Sequence, residues 1–266
     1  MTDWDLYYRH ERLHRRHEPL DFRRWKRASQ VALRGLYQAE GVRILDSTSG
    51  LGDHTVNLAE LGFVTEACDS SSQARESTRE ALASAGLDVP VHDAQWESLG
   101  ATFPSRFDLV WNDAIHWLET DERMHAALVG LRGALKPRGA LVFFFADARH
   151  PEENAGMAIH AWDREHLRPH ELAWSHRDGD TDTTHIIARQ PTSRHIDEHH
   201  LYVRTQHGQA QLESLLMRRI YRWDWHAMAR ALIAAGYEDL RSDRFLNDNG
   251  DPFTMNRAHQ RGSKRP

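Results

Sequence analysis

A chain of 266 residues, 40% of them hydrophobic, can bury a sizeable core, and its formal net charge of −5 weighs against a dedicated nucleic-acid binder. Its one cysteine, Cys68, excludes an intrachain disulfide and fits a reducing cytoplasm. No apolar run is long enough to cross a bilayer, and the charged opening MTDWDLYYRHERLHRRHEP does not read as a secretory signal.

Residues 1–40 read as helical and charged. Leu20, Phe22, Trp25, Ala28, Val31, Ala32, Leu36 and Tyr37 form an apolar stripe at roughly helical spacing, ended by Gly41. A first strand, Val42–Asp46, runs into a loop of small residues with Gly50 and Gly52, and a helix follows over Asp53–Leu61. A second strand, Phe63–Cys68, ends on Asp69; serines 70–72 offer N-caps for a helix to Ala85. A short third strand, Val89–His92, ends on Asp93. The fourth, Phe107–Trp111, is followed by Asn112 and Asp113. A helix over Asp121–Leu135, the break LKPRG and a wholly apolar fifth strand, Ala140–Ala146, complete the alternation. Continuous apolar strands alternating with helices predict a parallel sheet covered on both faces.

Beyond residue 150 the rhythm changes. Stretches 185–190, 199–205 and Leu212–Tyr221 read as longer antiparallel strands, then Trp225–Ala235 as a helix stopped by Gly236, and Phe253–Arg257 as a last strand. With no linker or repeat, residues 1–266 read as one domain. Residues 1–40 form a helical lid segment, 41–150 the ligand-binding core and 151–223 an antiparallel insertion; 224–266 complete the core.

Chemistry-bearing residues gather at the strand ends: Asp46, Asp69, Asp93, Asn112 and Asp113. Ligands of open parallel sheets bind beyond the carboxyl ends of the strands. A glycine turn lets backbone approach a ligand, and a carboxylate at the end of the second strand can accept both hydroxyls of a ribose. The set points to a nucleoside ligand. The dinucleotide fingerprint needs a third glycine, and Thr55 stands there, which weakens a nicotinamide-oxidoreductase reading.

The pattern Asp46-x-Thr48-x-Gly50-x-Gly52 resembles the first motif of class I S-adenosylmethionine-dependent methyltransferases. Asp69, the pair Asp93-Ala94, Phe107-Asp108 and LKPRG follow in the family's order over roughly residues 24–146. Thr48 departs from the family's usual Gly or Ala. The resemblance implies an α/β fold: a Rossmann-like class I sheet with an N-terminal helical segment and an antiparallel β insertion after strand five. It also implies S-adenosylmethionine as cofactor. Within that superfamily the chain is most similar to the glycine and sarcosine N-methyltransferases. AQWESL at 94–99 resembles their Ala-Asn-Trp segment, so Gln95 and Trp96 would flank adenine. DAR at 147–149 resembles their Asp-x-Arg, so Arg149 would bind a substrate carboxylate. RRIYRW at 218–223 would place Tyr221 at the substrate. Arg24 falls where the family sends an arginine to the methionine carboxylate, with Arg23 a near-equal choice. Asp113 stands near the family's asparagine and would attract a cationic amine.

The resemblance thus implies methyl transfer to a small amine, an amino acid in the first place. Arg149, Asp113 and Tyr221 would hold the acceptor, Tyr221 with Tyr7 or Tyr8 would orient the amine, and His116 is the candidate base. Donor contacts would come from Arg24, Asp46, Thr48, Gly50, Gly52, Asp69, Asp93, Ala94, Gln95, Trp96 and Asn112. His199 and His200 point to opposite faces of a strand, so no metal site is expected. The rival readings are a methyltransferase with a larger N or O acceptor and a nonenzymatic S-adenosylmethionine-binding module. Neither nucleic acid nor membrane is an expected partner; a homo-oligomer is compatible with the reading.

Overall fold

The computed structural model describes residues 3–18, 22–144, 168–191, 195–220, 225–246 and 252–260. The parallel alternation runs as α1 (Trp4–His17), α2 (Phe22–Tyr37), β1 (Arg43–Asp46), α3 (Asp53–Glu60), β2 (Val64–Asp69), α4 (Ser72–Ser84) and β3 (Val91–Asp93). It continues as α5 (Leu99–Thr102), β4 (Phe107–Asn112), α6 (Asp121–Ala134) and β5 (Leu135–Phe143). Four antiparallel strands follow: β6 (His170–Asp178), β7 (Thr181–Pro191), β8 (His195–Gln206) and β9 (Gln209–Ile220). Then come α7 (Trp225–Ala234), β10 (Tyr237–Leu246) and β11 (Pro252–Gln260).

The main sheet has seven strands in the order β10-β11-β5-β4-β1-β2-β3. β1 to β5 are mutually parallel, while β11 pairs antiparallel with β5 and β10 with β11. Successive residues of the central strands feed opposite faces. Leu45, Val110, Leu141 and Phe143 pack with α6 and α7. Ile44, Leu109, Trp111 and Val142 pack with Leu33 of α2 and Leu58 of α3. The strands are apolar throughout because both faces are covered. Strand order reverses between β1 and β4, so a crevice opens at the carboxyl ends of those two strands.

The helical segment expected over 1–40 is two helices. LKPRG does not precede β5 but lies within it: Phe107 pairs with Leu135 and Leu109 with Ala140, so residues 136–139 bulge out of register. β6 and β10 answer to no predicted strand, and the meander order β6-β7-β8-β9 makes a separate four-stranded sheet. The tight β8–β9 turn has positive φ at both His207 and Gly208, as a two-residue hairpin requires.

α1 lays Trp4, Leu6, Tyr7 and Leu13 against the small apolar cluster Trp174, Tyr202, Leu215 and Met217, and polar contacts hold it on two sides. Asp5 accepts from the hydroxyl of Ser71 (2.6 Å) and the N–H of Gln73 (3.2 Å) at the start of α4. Arg12 donates to Glu76 (2.8 Å) and Glu80 (2.6 Å) further along α4. On the other side, His10 bonds Glu213 of β9 at 3.0 Å and stacks on Tyr202 of β8, ring centroids 3.7 Å apart. α1 therefore bridges the four-stranded sheet and the core, above the crevice.

Candidate active site

The β1–α3 loop is shaped by Asp46. Fully buried, it accepts from the N–H of Thr48 (3.1 Å) and the hydroxyl of Thr55 (2.7 Å). Gly50 has φ +51° and donates its N–H to Asp69 at 3.1 Å, and Ser71 N–H reaches the other carboxylate oxygen at 2.9 Å. Burial raises the Asp69 carboxyl to about 6 against these two backbone donors, which pull it down. Trp96 donates its indole N–H to the carbonyl of Ser47 at 2.7 Å, which fastens the segment after β3 to the glycine loop.

These residues form one end of a cavity of about 680 Å³ at the switch point. Among the residues read from sequence as donor contacts, Thr48, Gly50, Asp69, Ala94, Gln95 and Trp96 line it. Asp46, Gly52, Asp93 and Asn112 do not. Asp46 acts through the loop. Asn112, also fully buried, donates to Ser47 Oγ (3.0 Å) and accepts from Ala114 N–H (3.0 Å), so it too holds backbone. Gly52 has φ +89°, and a Cβ there would stand 2.9 Å from that of Ala81 in α4, so it is a packing glycine. Asp93 is 71% exposed and pairs with Arg75 at 3.0 Å. Arg24 lies in α2, but its side chain is outside the described residues, as are Arg149 and Tyr221.

The other end of the cavity is roofed by α1 with Trp4, Tyr7, Tyr8 and Glu11, and its wall includes Asp113, His54 and Trp117. A buried relay stands behind Asp113. Asn57 donates to Gln30 (3.3 Å), the Gln30 amide bonds His54 Nδ1, and His54 Nε2 meets Asp113 Oδ2 at 2.8 Å. Burial alone would raise the Asp113 carboxyl, but His54 beside it, with Lys26 and the Thr48 hydroxyl, holds it well below the ordinary range. Glu11 goes the other way: burial lifts it to about 7, opposed by Arg15. Burial, and after it the charge of Asp69, pushes the Tyr8 hydroxyl well up, with Asp113 and Glu11 adding to the effect; Tyr8 sits where the two ends of the cavity meet.

His116 is in a short turn after β4, outside the cavity lining; its neighbour Trp117 is the residue that lines it. Sequence reasoning passed over His54, Gln30 and Glu11. His54 had a signal, since it stands in the first turn of the helix after the glycine loop. Glu11 is one turn from Tyr7 and Tyr8 and shares their face.

The cavity's donor end fits S-adenosylmethionine by its chemistry: a glycine turn, a carboxylate presented to the cavity and an indole fixed beside them. Residues 44–139 match a family model described as a methyltransferase domain. No curated protein sequence matches the chain. Among solved structures, the sugar N-methyltransferase KedS8 from Streptoalloteichus sp ATCC 53650 is similar at 16% identity, covering 94% of this chain and 92% of that one, with TM-score 0.66. An S-adenosylmethionine-dependent methyltransferase from Clostridium acetobutylicum ATCC 824 is similar at 12% identity, covering 97% and 100%, TM-score 0.63. CalS10, an amino pentose methyltransferase from Micromonospora echinaspora, is similar at 16% identity, covering 90% and 91%, TM-score 0.58. At these identities the likeness is one of fold. Residues 44–139 thus carry the match to a methyltransferase domain, and the glycine loop and carboxylate at the ends of its strands are suited to S-adenosylmethionine as donor.

Proposed function

We propose that the acceptor is the amine nitrogen of a small molecule. The observation that carries this is the pairing of two carboxyl groups of opposed tuning, Asp113 and Glu11, in a cavity walled by Trp4, Tyr7, Tyr8 and Trp117. Asp113 keeps its charge and can hold an ammonium or amine N–H; aromatic faces favour the same cation. Glu11, near neutrality, is suited to take the proton the nitrogen must lose.

When bound, S-adenosylmethionine supplies a methyl already activated as a sulfonium. The chain's own work is positioning. Asp113, oriented through His54 and Gln30, fixes the amine. Tyr8, near both Asp69 and Asp113, would flank the two and align the nitrogen. Glu11 would receive the proton that the nitrogen gives up on methylation. Asp69 and the 47–51 loop hold the donor.

The narrower form is an amino-acid acceptor of the glycine or sarcosine kind, its carboxylate read by Arg149 and its site closed by Tyr221. That form rests on the sequence resemblance. The similarity to KedS8 and CalS10, which are described as acting on sugars, favours an amino sugar instead.

A panel of glycine, sarcosine, an amino-acid carboxamide, amino sugars and matched alcohols, read as S-adenosylhomocysteine formed, tests the proposal. Amines should turn over and alcohols should not. Asp113→Asn should raise KM for the amine roughly tenfold or more, since a charge-assisted contact is lost. Glu11→Gln should lower kcat and remove its dependence on a group near 7. Turnover of the alcohols alone would defeat the amine reading, while preference for an acid over its amide would select the amino-acid form.

A further inference from the structure

Away from the cavity, the end of α1 meets β6 through imidazoles. His14 Nδ1 stands 2.9 Å from His176 Nε2, and that same nitrogen is 4.0 Å from Glu18 Oε1. The three candidate ligand atoms all lie within 4.8 Å of one another. His14 and Glu18 are four residues apart, one turn of helix, so they share a face of α1. Trp174 and His176 are two apart on β6 and share a face of the sheet. The rings are held in place by their neighbours. Trp174 stacks on His14 at 5.3 Å with 3° between planes and on His176 at 5.0 Å, and His17 covers His176 at 4.8 Å. None of the three residues lines the cavity.

We propose that His14, Glu18 and His176 bind a divalent first-row transition metal, zinc by preference, which pins the end of α1 to β6. Two imidazole nitrogens and one carboxylate are the borderline donor set that zinc and cobalt take, whereas magnesium and calcium want oxygens. Ligands on a tetrahedral zinc at about 2.0–2.1 Å stand roughly 3.4 Å apart. The two separations seen here, 2.9 and 4.0 Å, bracket that figure, so small ring movements admit an ion. Glu18, whose side chain is 54% exposed, leaves an open side for entry and for a water as fourth ligand. The competing account is a plain hydrogen bond between two neutral imidazoles.

Calorimetric titration of the full chain with Zn²⁺, and with Co²⁺ followed by visible absorption, separates the two. The expected result is one ion per chain, with cobalt bands of a four-coordinate nitrogen–oxygen site. His14→Gln and His176→Gln should abolish those bands. Glu18→Gln, at an exposed position the fold does not need, should weaken binding roughly tenfold or more. His207→Ala, on the distant β8–β9 hairpin, should change nothing. Absence of binding by the wild type, or equal binding by all three ligand variants, would overturn the proposal.

Discussion

Asp69 and the two glycines before it show how unlike the roles of neighbouring motif residues are. Gly50 faces the cavity, and a Cβ there would come within 3.2 Å of the Tyr8 hydroxyl; Gly52 faces α4. Sequence pattern treats them alike, because both need φ above zero. Asp69 lines the cavity, and we propose it as the residue whose charge matters for the donor. Its carboxyl titrates at about 6 because burial disfavours the anion. A donor whose hydroxyls bond the carboxylate favours the anion and lowers that value. Donor affinity should therefore be constant above pH 6 and fall as the pH drops through it. Asp69→Asn should weaken binding by roughly a factor of ten, the worth of a charge-assisted hydrogen bond, and should flatten the pH profile. Calorimetry with wild type and variant across that range checks both. An unchanged slope in the variant would remove Asp69 from the donor site.

At the scale of elements, the segment that positions Trp96 depends on α6. Gly130 of α6 lies directly under it: a Cβ at Gly130 would run into the backbone carbonyl of Trp96, and Gly133 meets Gly100 backbone to backbone at 2.6 Å from its own would-be Cβ. Small residues here let α6 and α5 approach closely. Gly130→Ala should thus displace Trp96 from its bond to Ser47, with a loss of about 1–3 kcal/mol as for other overpacked sites. Denaturant unfolding should show the loss, and donor titration a weaker affinity; intact affinity would mean the Trp96 segment is not set from below. Sequence reading recovered β1, β2, β3, β4, β5, β7, β8, β9 and β11, and it is clearest for the most apolar of them, β4 and β5, which are covered on both faces. β6 and β10, both at sheet edges, escaped because they carry little apolar signal. β10, YEDLRSDRFL, buries little beyond Tyr237, and β6 keeps only Trp174 buried, with charges outward as exposed edges require.

For the whole molecule, the donor end of the site was legible because its parts lie close in sequence, at the ends of consecutive strands. At the other end Asp113, Tyr7 and Tyr8 stand out in the sequence, whereas His54 does not, since it meets Asp113 across 59 residues; outside the cavity, His14 meets His176 across 162. The same long-range joint between α1 and the four-stranded sheet sets an acid sensitivity. His185 of β7 is 3% exposed, stacks on Tyr202 at 4.4 Å and bonds His200 at 3.0 Å; His10 and His14 of α1 and Arg189 add positive charge nearby. Its other ring nitrogen has no hydrogen-bond partner among the described residues, so a second proton would be buried unpaired. Burial, with His200 next, pushes its pKa down to about 3 from an ordinary 6.5. Below 6.5 the unfolded chain takes up a proton that the folded chain refuses, so this residue subtracts stability as the pH falls from 6.5 toward 3, by at most about 1.4 kcal/mol per pH unit. Glu11 and Asp69, raised by burial, act in the opposite direction over part of that range, because the folded chain protonates them first. The readout is therefore a difference. His185→Phe keeps the ring stack and removes the titration, so urea unfolding of wild type and variant should diverge below pH 6.5, the variant losing less stability. Parallel curves would show that the imidazole stays neutral at no expense to the fold.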